Sequence, residues 1–200
     1  GFTHGSTLID TLTFHAYELE EYLAFNAHMG NRRGTMDEFA QVDIEGGAIG
    51  STIDFLVTQH NIDKEMGYRL GCNATLTDTA VNMRFFPEQP VIGYKQWTVN
   101  NDNILSYNYH TRMIDANLKL AHDESLIQVI TDRAPGATSE VMRVDLANVR
   151  IQEWTRFVPN MPKMTGVVNA YFDLSFDGKN LSGTSLANVK SFTYDGQRIG

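Results

Sequence analysis

The segment Val168-Asn169-Ala170-Tyr171-Phe172-Asp173-Leu174-Ser175-Phe176-Asp177 decides the fold, because apolar and polar side chains alternate along its whole length. Successive side chains of a β-strand point to opposite faces of a sheet. One face of this segment therefore carries Val168, Ala170, Phe172, Leu174 and Phe176, and the other face carries the polar residues. The segment predicts a strand with one apolar and one solvated side.

The same alternation recurs upstream. Leu70, Cys72, Ala74 and Leu76 share one register, and shorter alternating runs occupy residues 23–29, 53–57, 81–85 and 114–120. Turn-forming stretches lie between the runs, namely Asn31-Arg32-Arg33-Gly34, Glu45-Gly46-Gly47, Asn100-Asn101-Asp102-Asn103, His122-Asp123-Glu124-Ser125, Asp177-Gly178-Lys179-Asn180 and Asp195-Gly196. Their spacing suits antiparallel hairpins and is too short for crossover helices. The sequence predicts an all-β, half-solvated antiparallel meander of about ten strands or more.

One stretch departs from this pattern. Residues 145–157 fit a helix, with Asp145 as a candidate N-cap, and a strand over 144–151 followed by one helical turn at 152–157 fits them almost as well. Pro159 and Pro162 then interrupt any central ladder. We therefore divide the chain into a β segment at 1–158 and the start of a further β repeat at 159–200, which we interpret as cut at its C-terminus. The similarity of residues 146–150 to 186–190 agrees with stacked β units.

Composition excludes several classes of function. The chain has 200 residues, 42% of them hydrophobic, which is enough for a sizeable core. A net charge of −8 without Lys/Arg clusters argues against nucleic acid as a partner. Cys72 is the single cysteine, so no intrachain disulfide can form. Because the sequence stops at Gln197-Arg198-Ile199-Gly200, directly after a strand-like stretch, we expect the chain to be a fragment of a longer protein.

No pattern of residues predicts catalysis. The histidines lack the paired spacing that aims two imidazoles at one metal ion; they are His4, His15, His28, His60, His110 and His122. The sequence has no G-x-S-x-G elbow and no P-loop. We predict that the chain is not an enzyme and that it has no catalytic residue, metal ion or cofactor.

The alternation itself has two interpretations. The apolar faces of two sheets can close on each other as a dry β-sandwich. Alternatively, one long curved sheet keeps its apolar face open as a trough for acyl chains. Both architectures need the same period of two, so the pattern alone does not separate them.

Several motifs resemble those of a known family. Residues 162–170, the turn Leu181-Ser182-Gly183 and residues 192–200 are similar to the repeating pattern of the TamB translocation and assembly module family, which includes AsmA-like, bridge-like lipid transfer proteins. Phe86-Pro87 and residues 93–104, with Trp97 and Asn103 as the most specific positions, resemble TamB-like proteins of the Bacteroidetes. The resemblance covers roughly residues 68–200, whereas residues 1–67 share only the general alternation of apolar and polar residues.

The resemblance implies a periplasmic location, a parent protein anchored in the inner membrane, and an outer-membrane partner of the BamA barrel type. It implies a taco-like, U-shaped sheet with an apolar concave face, and a role in phospholipid transport or outer-membrane biogenesis. Phospholipid acyl chains are then the expected partner. The expected groove lining is Leu70, Cys72, Ala74, Leu76, Val168, Ala170, Phe172, Leu174 and Phe176.

Three further expectations accompany this interpretation. Trp97, beside the Asn-rich turn, is expected to be a packing plug rather than a lipid contact. Strand edges exposed at the ends of the fragment are expected to give an edge-strand dimer. The rival function is a secreted or cell-surface adhesin or carbohydrate-binding β-sandwich, which needs exposed aromatic residues in the polar register; Tyr107, Tyr109 and Tyr171 are the candidates.

Overall fold

The computed structural model describes residues 2–4, 7–31, 41–132, 140–155, 161–176 and 180–199. The chain is all-β: most of the described residues lie in strands, and they include one short helix, α1 (Ile151–Thr155). The strands are β1 (Phe2–His4), β2 (Thr7–Ile9), β3 (Thr11–Leu19), β4 (Tyr22–Gly30), β5 (Gln41–Ile49), β6 (Thr52–His60), β7 (Met66–Leu76), β8 (Ala80–Ile92), β9 (Lys95–Gln96), β10 (Thr98–Val99), β11 (Ile104–Asn108), β12 (Ile114–His122), β13 (Ser125–Asp132), β14 (Glu140–Arg150), β15 (Met164–Phe176), β16 (Leu181–Tyr194) and β17 (Gln197–Arg198).

The strands form one long antiparallel meander. β1 and β2 make a separate two-stranded sheet, and the other fifteen strands belong to one sheet. Its order is β17-β16-β15-β14-β13-β12-β11-β8-β7-β6-β5-β4-β3, with β9 beside β8 and β10 beside β12. The predicted antiparallel meander is confirmed. The sheet is open, which is consistent with a taco-like sheet, and the described residues do not form the closed sandwich considered as the alternative.

The pairing register brings the alternating runs onto one side of this sheet. Cys72 lies opposite Phe55 of β6 and Phe85 of β8, and Phe172 lies opposite Val144 of β14. Directly paired residues point to the same face of a sheet. Following the pairs from strand to strand defines an apolar face that runs from β3 to β15. It carries Leu12, Phe14, Leu23, Phe25, Met29, Ile44, Ile53, Phe55, Val57, Leu70, Cys72, Ala74, Leu76, Val81, Met83, Phe85, Leu105, Tyr107, Ala116, Leu118, Leu120, Ile127, Val129, Val144, Leu146, Val168, Ala170, Phe172 and Leu174.

One predicted turn is wrong. Glu45-Gly46-Gly47 lies inside β5, and the chain turns at Gly50 instead, where φ is +55°. A Cβ on Gly47 would lie 2.2 Å from Cζ of Tyr22, and a Cβ on Gly46 would lie 2.7 Å from Cζ of Phe25. Neighbouring aromatic rings therefore lie over these two glycines, an arrangement that stabilises glycine within a strand.

The other turns agree with the sequence where they can be compared. Turns lie within residues 100–103, 122–125 and 195–196, as predicted. The predicted turn at 31–34 falls outside the described residues apart from Asn31, and that at 177–180 falls outside them apart from Asn180.

Of the two interpretations of residues 145–157, the strand followed by one helical turn is correct, because β14 continues to Arg150 before α1 begins. The proposed boundary at 158/159 lies outside the described residues, and β14 and β15 on either side of it pair with each other.

The best-packed part of the molecule lies at one set of strand ends of β7, β8, β12 and β13, midway along the strand order. Ile92, Trp97, Val99 and Leu120 form a buried cluster, and five partly buried side chains pack against it: Tyr68, Phe85, Leu118, Ile127 and Trp154. Trp154 belongs to α1, whereas Trp97 lies between β9 and β10. We call this group of nine residues the end plug.

Candidate functional site: the apolar face

The expected lining residues lie on the same side of the sheet but in two separate places. Leu70, Cys72, Ala74 and Leu76 belong to β7, and the second set belongs to β15. Five strands of the main order separate β7 from β15. At about 4.8 Å per step, the two sets lie roughly 29 Å apart. They are parts of one extended surface rather than neighbours in a pocket.

Exposure differs among these residues. Cys72 and Ala170 are buried, at 5% and 8% exposed, whereas Leu76 is 44% exposed. Leu70, Ala74, Val168, Phe172 and Leu174 are half-buried. The backbone of Phe176 pairs with Glu140 and Leu181, but its side chain lies outside the described part of the structure. Burial raises the pKa of the Cys72 thiol, so this residue is a protonated, apolar part of the face.

The apolar face continues into the N-terminal third of the chain. Phe14 and Leu12 on β3 are 67% and 62% exposed, and Leu23, Ile53 and Phe55 are 50%, 41% and 38% exposed. No lining residue was predicted here, because the family resemblance begins near residue 68. The signal was nevertheless present, since these residues alternate with polar ones in the same way as those of β7.

Trp97 is a packing residue, as expected. Its side chain is fully buried, and its Nε1 donates to the carbonyl of Ile92 at 3.3 Å. The rings of Trp154 and His122 both lie 5.8 Å from its ring, that of Trp154 edge-on. The hydroxyl of Tyr68 donates to the Glu153 carbonyl at 2.5 Å and so holds α1 in place. The end plug is a preformed cap on the apolar face.

The tyrosines expected in the polar register divide between the two faces. Tyr171 does lie on the polar face, where its hydroxyl donates to Asp173 Oδ2 at 2.5 Å and accepts from Arg143 Nε at 3.1 Å. The bond to Asp173 raises the pKa of the Tyr171 phenol. Tyr107 instead pairs with Val81 and Ile114 on the apolar face, with the ring of Tyr109 edge-on at 6.0 Å. Tyr107 was therefore misassigned.

A cavity of about 690 Å³ lies mainly on the polar face over β3 to β6. Tyr17, Tyr22, Glu45 and Asp54 contribute to its walls. Burial, together with the neighbouring Asp54 carboxylate, raises the pKa of Tyr22 and keeps its hydroxyl protonated. The cavity combines aromatic rings with hydrogen-bonding carboxylates, a set of groups that suits a polyhydroxylated ligand.

The described residues contain no group of three or more His, Cys, Asp or Glu side chains placed to hold a metal ion. The closest acid–imidazole pair, His28 Nδ1 and Asp43 Oδ1 at 2.7 Å, consists of two residues alone. In the described part of the chain, no helix has the length and apolar character that crossing a bilayer requires.

No family model, no curated protein and no solved structure matches the chain. The described residues form an open antiparallel β-sheet with an extended apolar face that reaches solvent and that carries one packed cluster at the strand ends near its middle.

Proposed function

We propose that this chain is a periplasmic segment of a lipid-conducting bridge or outer-membrane assembly module, in which the apolar face shields acyl chains between the inner and outer membranes. One observation carries the proposal. The apolar face continues from β3 to β15, and large side chains such as Phe14 and Phe55 on it remain open to solvent.

Burial of hydrocarbon explains why such a face would bind lipid. Monomeric soluble proteins rarely expose a contiguous apolar patch larger than a few hundred Å². An acyl chain laid on the face removes both its own methylenes and the side chains beneath them from water, at about 0.8 kcal/mol for each methylene buried. The headgroup stays at the edge of the sheet, in water. No energy source within this segment is needed.

The family resemblance supports the same proposal. An open meander is compatible with the taco-like sheet that the resemblance to TamB-type proteins implies. On this proposal the parent protein is anchored in the inner membrane, and a BamA-type barrel protein in the outer membrane is its partner. Phospholipid acyl chains are the cargo.

Photo-crosslinking in cells tests the proposal. A benzoylphenylalanine is placed in the full-length protein at Phe14 or at Tyr17, which are aromatic residues of one strand, 67% and 49% exposed, on opposite faces. A second pair, Phe172 and Asp173, repeats the test on β15. We expect mass spectrometry to find phospholipid adducts at 14 and 172 only. Adducts at neither position, or equally on both faces, would overturn the proposal.

A carbohydrate-binding module is the second candidate, and the polar-face cavity is the observation that favours it. Tyr17 and Tyr22 could stack on a sugar ring while Asp54 accepts its hydroxyl protons. A glycan array probed with the whole chain, beside a Tyr22→Ala variant, tests this function. Glycan binding that is lost in the variant would support it, and no binding to any glycan would exclude it for the glycans on the array.

A further inference from the structure

A second cavity, of about 560 Å³, opens beside the end plug. Its walls come from segments far apart in sequence: Lys95 of β9, the turn between β12 and β13, Asn148 and Arg150 of β14, and Glu153 of α1. Lys95 lies within the family resemblance and residues 122–125 were predicted as a turn, but neither motif indicates that these segments meet at a cavity. Its chemistry differs from that of the apolar face, since its lining residues are mostly polar or charged.

Glu153 is the residue that indicates a ligand. It is 8% exposed, and its Oε2 atom is buried without a hydrogen-bond partner among the residues that the structure describes. A buried carboxylate oxygen is unfavourable unless it receives hydrogen bonds or a cation. This oxygen therefore lacks a donor among the described residues, and a small donor that enters the cavity beside Glu153 could supply one once the carboxylate turns toward it.

The cavity is held in shape by its own contacts. The Tyr68 hydroxyl donates to the backbone carbonyl of Glu153, and a Cβ on Gly93 would lie 2.7 Å from the Glu153 Cβ, so α1 rests closely against the turn at Gly93. On the opposite wall, Ser125 Oγ donates to the Asn148 carbonyl at 2.8 Å. The position of Glu153 is thus fixed before any ligand arrives, which lowers the entropy cost of binding.

The charges around Glu153 define the ligand. Lys95 and Arg150 are exposed and present two cationic groups to an anion. Asp123 and Glu124 also line the cavity and, together with Glu153, disfavour a ligand that carries only negative charge. A zwitterion with an ammonium at one end and a phosphate at the other matches this arrangement.

We propose that this cavity binds a phosphoethanolamine group, with its primary ammonium donating to Glu153 Oε2 and its phosphate facing Lys95 and Arg150. A primary ammonium has N–H bonds to donate, whereas the quaternary nitrogen of choline has none. The cavity should therefore prefer phosphoethanolamine over phosphocholine, and should bind phosphoglycerol least.

That the group belongs to a lipid rests on the proposed function. The cavity and the end plug share α1, and His122, which lines the cavity, lies against Trp97 of the plug. A headgroup held here would lie beside the apolar face at one set of strand ends, midway along the strand order, where acyl chains can begin. A free glycerophosphoethanolamine offers the same chemistry without the tails.

Isothermal titration calorimetry on the whole chain tests the proposal, with glycerophosphoethanolamine, glycerophosphocholine and glycerophosphoglycerol as probes. We expect the ethanolamine compound to bind at least about tenfold more tightly than the choline compound, as one charged hydrogen bond allows. Glu153→Gln should abolish this preference, whereas Glu124→Gln, a carboxylate change at the exposed part of the same cavity, should keep it. Lys95 and Arg150 are exposed, and Lys95→Gln and Arg150→Gln should each lower the affinity for all three probes.

Short-chain lipids separate this proposal from the function it rests on. Dihexanoyl phospholipids that bind equally with every headgroup, with no binding of glycerophosphoethanolamine, would overturn the headgroup site and leave the apolar groove standing. If glycerophosphoethanolamine bound tightly and the dihexanoyl lipid with the same headgroup bound no more tightly, the headgroup site would be supported. The proposed binding of acyl chains to the apolar face would then be contradicted. Equal affinity for ethanolamine and choline compounds, or an unchanged preference in Glu153→Gln, would also overturn the site.

Discussion

Asn103 shows that one of the most specific positions of the family resemblance has a structural role. The residue is 3% exposed, and its side-chain amide makes the hydrogen bonds to β8 that the backbone of a neighbouring strand would otherwise make. Oδ1 accepts from the Phe85 amide at 2.6 Å, and Nδ2 donates to the carbonyls of Phe85 and Asn100. The side chain thus forms hydrogen bonds with both the amide and the carbonyl of Phe85. It does so just before the point where β11 begins to pair with β8.

Removing this amide should destabilise the fold. Asn103→Ala leaves the amide and carbonyl of Phe85 without partners, so we expect the free energy of unfolding to fall by about 1–3 kcal/mol. Urea unfolding followed by circular dichroism measures the change. Asn101→Ala, an exposed position in the same turn, is the control and should stay within about 0.5 kcal/mol of the parent. Equal stability of the two variants would contradict this role.

Asp102 gives a pH dependence in the same turn. Its carboxylate accepts from Asn100 Nδ2 at 3.0 Å and from Asn117 Nδ2 at 2.9 Å, and the bond from Asn100 is the main cause of its lowered pKa. A lowered pKa in the folded state means that the stabilisation exists above the unfolded-state pKa and is lost as pH falls through the folded-state value. We expect Asp102→Asn to be less stable than the parent at neutral pH, with the difference shrinking in acid. Urea midpoints across a pH series measure it, and a constant difference would contradict the assignment.

Phe172 separates a lining role from a core role. Because the sheet is open and Phe172 is half-buried, Phe172→Asp should impair lipid crosslinking and transport more than it impairs folding. Ser175→Asp, on the polar face of the same strand, is the matched control and should affect neither. The comparison uses urea unfolding for stability and crosslinking from Phe14 for lipid occupancy. If Phe172→Asp lowered the free energy of unfolding but left lipid crosslinking from Phe14 unchanged, Phe172 would be a core residue and not a lining residue.

At the scale of elements, α1 depends on a glycine. Gly93 and Gly50 both have positive φ, at +60° and +55°, but only Gly93 is close to another element, which is α1. Gly50→Ala therefore measures the backbone strain alone, about 1–2 kcal/mol. Gly93→Ala adds a collision with Glu153 and should cost more. It should also increase hydrogen exchange in α1, whereas Gly50→Ala should not. Equal effects of the two substitutions would show that α1 does not rest on this turn.

The elements also show what the sequence could and could not predict. Period-two alternation was sufficient to predict the strands and to assign the β7 and β15 residues to one side, because register follows from which face is apolar. Gly46 and Gly47 were misread as a turn, because the aromatic rings that cover them come from other strands. The cavity at Glu153 could not be predicted, since it forms only where β9 and α1 meet in three dimensions.

At the level of the whole molecule, the described strands leave two edges open: β3 on one side and, on the other, the part of β16 that the two-residue β17 does not pair with. Twelve strands, each antiparallel to the next, lead from β3 to β16, so the two edge strands run in opposite directions. The β16 edge of one copy can therefore pair antiparallel with the β3 edge of another. The apolar faces of the two copies then form one continuous surface. The expected edge-strand dimer would have this geometry, with a head-to-tail rather than a twofold contact.

Association through the edges is testable. Sedimentation of the isolated chain should show concentration-dependent dimers or longer assemblies. Phe14→Lys places a charge on the β3 edge and should reduce association. Leu76→Lys, also on the apolar face and 44% exposed but in an interior strand, is the control and should leave it unchanged. If Leu76→Lys reduced association as strongly, stacking of apolar faces rather than edge pairing would be the cause.

The antiparallel strand order determines how far the sheet extends across its strands. Each strand that joins the ladder lengthens the apolar path by a fixed step of about 4.8 Å. The twelve strands from β3 to β16 thus measure roughly 53 Å, more than the thickness of one bilayer with its headgroups, about 40–45 Å. On the proposed function, the distance that the protein bridges would depend on the number of strands, and each added pair of strands would lengthen the apolar face while keeping the direction of the edge strand.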